Sequence, residues 1–328
     1  MSDPKKIAVI GAGIAGLSLA RSLHGLADVT IFEKSRGVGG RMATRHADGI
    51  AFDHGAQYFT IRDPAFHAAL EPAIELGVVE AWSGIIGLSS SGASGIVDEG
   101  HRWPRFVGVP SMTALPKWLS RGLDIRLGVK IISIEGSAKH WILKTESQRV
   151  GPFDWVITAS PAPQSLALMP ESFSEIGRMA SSKMNACFTL MLRPRSFKLG
   201  RHCAIRYDDE VIALISEGPS RPQRSSLPSL VVHSHNGWAD RHVDDALENV
   251  QAIMFDRIAE LLPDISNDIL SCDIHRWRFA NVETPSEGEL LVDFENGLAA
   301  CGDWTIGNRV EAAFLSAVAL SEAIGERL

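Results

Sequence analysis

Lys5-Lys6-Ile7-Ala8-Val9-Ile10-Gly11-Ala12-Gly13-Ile14-Ala15-Gly16-Leu17 is the stretch on which the fold turns. Ile7 to Ile10 is a continuous apolar run, as a parallel strand buried on both faces requires. Three glycines follow at once in the pattern G-x-G-x-x-G. Leu17, Ala20, Leu23 and Leu26 then recur at helical spacing, and Val29 to Phe32 predicts a second strand closed by Glu33. Strand, glycine turn, helix and acidic terminus, in that order, are the setting in which this motif binds a dinucleotide. Gly11 permits the tight turn, Gly13 leaves the backbone open to a pyrophosphate, and Gly16 lets helix and strand pack closely. The helix N-terminus at Ile14 and Ala15 offers unpaired N–H groups and partial positive charge to phosphate. Glu33 stands where a carboxylate accepts hydrogen bonds from ribose hydroxyls.

Working outward, Lys34-Ser35-Arg36-Gly37-Val38-Gly39-Gly40-Arg41 brings a second glycine cluster with basic residues directly after that acid. Lys34, Arg36, Gly39 and Gly40 suit a loop wrapped around cofactor phosphates, with Arg41 able to neutralise pyrophosphate charge. On spacing alone, a flexible basic turn is the alternative. Next comes Phe52-Asp53-His54-Gly55-Ala56-Gln57-Tyr58-Phe59, and near the end Gly302-Asp303-Trp304-Thr305-Ile306-Gly307-Asn308-Arg309-Val310.

Taken together, these motifs resemble the flavin amine oxidase superfamily, and the short chain with its Gly55-Ala56-Gln57-Tyr58 resembles the renalase-like bacterial branch. The resemblance implies an α/β fold: an FAD-binding Rossmann-type domain of the glutathione-reductase-like kind, interleaved with an α+β substrate domain on a mixed sheet. It assigns 1–60, 107–162 and 274–328 to the first domain, and 61–106 and 163–273 to the second. Gly55, Ala56, Gln57 and Tyr58 would pass the flavin ring. Ile131, after the helix expected in 108–119 and within a strand expected over 125–131, would hold the adenine through its backbone.

Leu298 to Cys301 reads as a buried strand delivering Gly302 and Asp303, and Val310 to about Arg327 as the final helix. By the resemblance Asp303 binds the ribitol or pyrophosphate region. Arg309, Val310 and Ala313, at the start of the helix, lie beneath the flavin edge where negative charge develops on reduction.

The bulk numbers agree with an ordinary globular chain: 328 residues, 45% hydrophobic, 22% charged, formal net charge -7. That balance argues against a nucleic-acid partner, and the lack of a long apolar run argues against a membrane span. Cys187, Cys203, Cys272 and Cys301 form no close pair. This excludes a flavin disulfide reductase and a metal cluster, and suits a reducing cytoplasm. No cysteine or histidine is placed by motif for covalent attachment, so noncovalent FAD is expected.

For the substrate domain, strands are predicted over 184–193, 203–207, 211–215 and 230–233, a long helix over 243–262 ended by Pro263, and a loop over 89–95. Tyr58, Trp103, His235, Trp238, Trp277 and Trp304 are candidate pocket walls, with Gln57, Tyr58, His235 and Trp277 nearest the chemistry. His233 and His235 alternate on a strand, so both face one side as a candidate pair of bases, with a structural histidine as the alternative. Arg276 and Arg278 are candidates for substrate phosphates. Lys183 is the one lysine near the position of the lysine–water pair found in many amine oxidases. The renalase resemblance implies oxidation of 2- or 6-dihydro isomers of NAD(P)H, a small-molecule dinucleotide substrate, with oxygen as the acceptor and hydrogen peroxide as a product. Amine or amino-acid oxidation, and FAD binding without turnover, remain the rival readings.

Overall fold

The computed structural model describes residues 3–89, 95–100, 102–265, 269–288 and 290–328. A six-stranded sheet organises the cofactor half, in the order Asp124–Leu127, Asp28–Glu33, Lys6–Ile10, Trp155–Thr158, Leu298–Ala300, Leu291–Asp293. All neighbours run parallel except the last pair. Lys6–Ile10 lies inside the sheet because its apolar run serves two cores. Ile7 and Val9 pack into one, and Ala8 and Ile10 into the other. The first core is closed by helices Ile14–Ser22 and Val310–Gly325. The second is closed by the antiparallel meander Ile131–Ser137, His140–Thr145, Arg149–Phe153.

The other half is a seven-stranded sheet: Ile269–Thr284, Lys183–Pro194, Leu230–Ser234, Ile212–Glu217, His202–Tyr207, Ile85–Ser89, Ile96–Asp98. Alternation in Lys183–Pro194 sets its two faces. Phe188, Leu190 and Leu192 pack on Val250, Met254 and Ile258 of helix Leu247–Leu261. Met191 packs against Ile50 and Phe52 of the small hairpin Arg45–Ala47/Ile50–Phe52. The front of the substrate sheet therefore faces the cofactor half, and residues 53–58 run between them.

Several expectations change. The first helix ends at Ser22, and Leu26 lies beyond it, 56% exposed, after the turn at Gly25. Residues 125–131 are not one strand: Gly128, at φ +70, ends Asp124–Leu127, and Ile131 begins the meander instead. Within 108–119 only Ala114–Leu119 is helical. The helix predicted over 243–262 starts at Leu247, Val243 instead caps Asn236–His242, and Ile253 faces outward.

The boundary expected at 274 falls inside Ile269–Thr284, which pairs along Lys183–Pro194, so that segment belongs to the substrate sheet. Residues 61–106 divide between the halves. Phe66, Leu70 and Val79 join the cofactor core, whereas Ile85–Ser89 and Ile96–Asp98 extend the substrate sheet. Most of the loop expected over 89–95 lies outside the described residues. No helix among the described residues is long and apolar enough to cross a membrane.

Candidate active site

The glycine turn is tightly specified. Gly11 N donates to Phe32 O at 2.9 Å, and Gly11 has φ +112, where a side chain would be strained. A Cβ on Gly16 would lie 2.0 Å from Gly11 O. Gly13 differs: a Cβ there would meet nothing within 4 Å. Gly13 is the N-cap of Ile14–Ser22, with no side-chain cap and no acidic residue in the first turn. Open space above unpaired N–H groups fits an anionic pyrophosphate, and with it an extended dinucleotide. Gly39 N donates to Ala12 O at 2.9 Å, which lays the second glycine cluster against the first.

Glu33 is buried and its carboxylate organises the loop. It accepts from Ala12 N and from Ser35 N, each at 2.8 Å. Each oxygen keeps a lone pair for a ribose hydroxyl. Lys34 and Arg36 point outward; Lys34 Nζ donates to Gln164 Oε1 at 3.0 Å. Ile131 is buried in the meander, paired with Thr145.

Arg41, expected to face pyrophosphate, instead forks onto Asp303: Nη1 to Oδ2 at 2.8 Å and Nη2 to Oδ1 at 2.5 Å. Gly302 N donates to Ser316 Oγ at 3.1 Å, which anchors this turn to the last helix. Arg309 is the exposed N-cap of that helix without side-chain capping, and Val310 and Ala313 are half-buried. Glu311, in its first turn, accepts from Arg62 N and Asp63 N at 2.6 and 2.8 Å and is 2% exposed. Trp304 is not a pocket wall. It is fully buried and donates to Ser160 O at 3.0 Å.

The 53–58 segment is pinned beside Arg41. Ala56 N donates to Arg41 O at 2.9 Å, and a Cβ on Gly55 would meet that same oxygen at 2.0 Å. Asp53 is buried and bound by Arg224 Nη2 at 2.6 Å, Thr44 Oγ1 at 2.6 Å and Met112 N at 2.9 Å. Gln57, a catalytic candidate from sequence, is a brace: its Oε1 accepts from Ser216 Oγ at 2.6 Å and Arg221 Nη2 at 2.7 Å. Its amide donates to Gly55 O at 3.0 Å and to Asp53 O. Burial lowers the Arg221 pKa to about 10. Tyr58 Oη accepts from Arg206 Nη2 at 2.6 Å.

On the front of the substrate sheet, Trp277 Nε1 and Thr189 Oγ1 both donate to His54 O at 3.0 Å. The His54 ring lies 5.1 Å from Trp277 and 4.9 Å from His275, edge-on to the latter. His233 Nε2 contacts His54 O at 3.4 Å. Desolvation holds His54 and His233 down to about 4, with His275 adding repulsion to His54, so both rings are neutral near pH 7. His54 Nδ1 is buried with no partner among the described residues.

The remaining candidates separate. The strand ends at Ser234, and His235 is the exposed N-cap of the next helix, so it does not share His233's face. Trp238 packs edge-on against Phe188 in the core behind the sheet, and Trp103 is half-buried beside Arg102. Alternation sends Arg276 and Arg278 to the back, where Arg276 bonds Asp245 O and Arg278 pairs with Asp244 at 2.7 Å. Lys183 is exposed, as is every lysine of the chain. Sequence reasoning missed Asp53, Glu311, Arg221 and the His54–His275 contact. Only the Asp53-His54 pair, inside a motif, carried a signal.

Residues 78–325 match the family model described as flavin containing amine oxidoreductase, and residues 9–71 one described as an NAD(P)-binding Rossmann-like domain. The chain is 22% identical to renalase from Mus musculus, over 97% of this chain and 98% of that protein. It is 26% identical to coproporphyrinogen III oxidase from Mycobacterium tuberculosis H37Rv, over 48% of this chain and 32% of that one. Cyclohexylamine oxidase from Brevibacterium oxydans IH-35A superposes with a TM-score of 0.73 at 13% identity, covering 99% of each chain. An oxidoreductase from Methanosarcina mazei gives 0.71 at 15% identity, covering 97% of this chain and 100% of that one.

Proposed function

This chain belongs to the family of flavin containing amine oxidoreductases, with FAD as its cofactor, and from that premise we propose that it is a renalase-like oxidase of dihydronicotinamide isomers. Its substrate is NAD(P)H carrying the hydride at the 2- or 6-position of the ring. The balanced reaction is isomer plus oxygen plus a proton, giving NAD(P)+ and hydrogen peroxide. Noncovalently bound FAD supplies the two-electron relay between the nicotinamide and oxygen.

One observation carries this reading: the likeness to mouse renalase runs through 97% of this chain and 98% of that protein. The protein's own residues have a limited task. His54, His275 and Trp277 offer an aromatic, uncharged wall suited to a flat heterocycle. With His54 held neutral by burial, that ring places no imidazolium beside a cationic product. Exposure of every lysine speaks against an amine oxidase that uses a buried lysine–water pair. The free, largely buried thiols support a reducing, cytoplasmic setting.

Rapid mixing of the FAD-loaded protein with 6-dihydro-NAD under anaerobic conditions should bleach the flavin, and admitted oxygen should restore it with release of peroxide. A spectrum left unchanged by both isomers, with bleaching by primary or secondary amines, overturns the substrate assignment and leaves the family intact.

A further inference from the structure

Arg105 and Arg221 are 7% and 3% exposed, yet neither closes an ion pair among the described residues. Arg221 spends its N–H groups on neutral acceptors: Glu217 O and Gln57 Oε1 at 2.7 Å, and Gln57 O and Ser216 Oγ at 3.4 Å. Arg105 donates Nη1 to Gly84 O at 2.8 Å, and its buried Nε has no partner among the described residues. By contrast, Arg41 and Arg224 each fork onto a carboxylate. The Asp53 carboxylate acts on Arg221 only at longer range and is itself bound by Arg224; a buried charge with no counter-charge in contact is costly. An anion that binds there would offset that cost, and the planar guanidinium fork matches phosphate oxygens.

The two cations belong to one contiguous group. The Arg105 guanidinium lies 5.7 Å from the centre of the Tyr58 ring, that of Arg221 lies 4.6 Å from Trp82, and the two rings are 6.0 Å apart. The Cys203 thiol is within electrostatic reach of both arginines. Arg206 donates Nη2 to Tyr58 Oη and pairs through Nε with the Glu99 carboxylate at 3.2 Å, and its side chain is 39% exposed, so the group opens to solvent on that side. Tyr58 directly follows the segment pinned to Arg41.

We propose that Arg105 and Arg221, with Arg206 at the mouth and Tyr58 and Trp82 as walls, form an anion subsite that takes a phosphate of the dinucleotide substrate. This rests on the oxidase reading above and moves phosphate recognition from Arg276 and Arg278, which lie behind the sheet. The phosphate reaches Arg105 by displacing Arg206 from Tyr58 Oη, and it competes with Glu99 for the Arg206 guanidinium.

The test is calorimetry of inorganic pyrophosphate on the FAD-loaded protein, where the cofactor already fills its own phosphate site. Saturable binding is expected, weakened about tenfold or more in Arg105→Gln and less in Arg105→Lys, which keeps the charge. Should Arg105→Gln fail to retain FAD, Arg206→Gln at the exposed mouth carries the same comparison, with a smaller loss expected. No binding to the wild type, or equal binding to the wild type and to whichever Gln variant retains FAD, overturns the subsite. If the isomers leave the flavin oxidised while the Gln variant still weakens pyrophosphate, the subsite stands and the substrate assignment falls. If the isomers bleach the flavin and pyrophosphate ignores these arginines, the reverse holds.

Discussion

Arg41 and Asp303, 262 positions apart in the chain, grip each other through two hydrogen bonds of 2.8 and 2.5 Å, and so join the second glycine loop to the turn before the last helix. Asp303 is almost fully buried and Arg41 about a quarter exposed. The pair ties together the two loops that the motifs assign to the cofactor.

Arg41→Met therefore leaves a buried carboxylate without its cation. A loss of about 1–3 kcal/mol is expected, together with reduced flavin retention. Thermal unfolding with and without added FAD measures both, and a variant that unfolds and retains flavin like the wild type contradicts this role.

Gly13 and Gly16 should respond in opposite ways to the same methyl group. Gly16→Ala drives a carbon to 2.0 Å from Gly11 O and should destabilise the protein by about 1–3 kcal/mol. Gly13→Ala meets open space at φ -78. Its apoprotein should unfold within about 0.5 kcal/mol of the wild type, while FAD affinity falls about tenfold or more. Urea unfolding and flavin titration read the contrast; normal FAD affinity in Gly13→Ala would show that the pyrophosphate lies elsewhere.

Asp53 and Arg224 form a buried pair, 2% and 3% exposed by side chain. Asp53→Ala strands the guanidinium, and about 3–5 kcal/mol of stability should go with it. The double variant Asp53→Ala/Arg224→Met should recover part of that loss, because the orphaned charge is gone. Additive losses in the urea midpoint would mean that the two residues are not coupled.

The histidines set an acid limit. His54 and His233 are held near 4 in the folded protein, against an unfolded value near 6.5. The unfolded chain therefore binds protons first as pH falls. Stability is fully present above about 6.5 and is lost progressively between about 6.5 and 4. His233→Asn should shrink the fall in melting temperature between pH 7 and pH 4.5, and an unaltered pH slope would remove His233 from this account.

The cofactor end was readable because its requirements are local. A buried strand, a turn only glycine can make, a helix start and a carboxylate follow each other within about thirty residues, and each is visible as a residue type. Misreadings arose where one position decided the outcome. The strand holding His233 ends at Ser234, so His235 caps a helix instead of continuing the alternation. Gly128 turns the chain away before Ile131, and Gly25 does the same before Leu26. Gln57 was read as facing the ring, but the acceptors and donors that hold it come from 216 and 221, far along the chain.

Local stereochemistry therefore wrote the Rossmann-type unit, the second glycine loop and the closing helix into the residue order. Which charges meet was decided only when the two sheets packed. That packing gave Arg41 and Arg224 carboxylates and left Arg105 and Arg221 with neutral partners. A guanidinium reads the same in sequence whether it ends in solvent, in an ion pair or buried alone. Burial and the distant neighbour settle its energy, and both come from contacts between segments far apart along the chain.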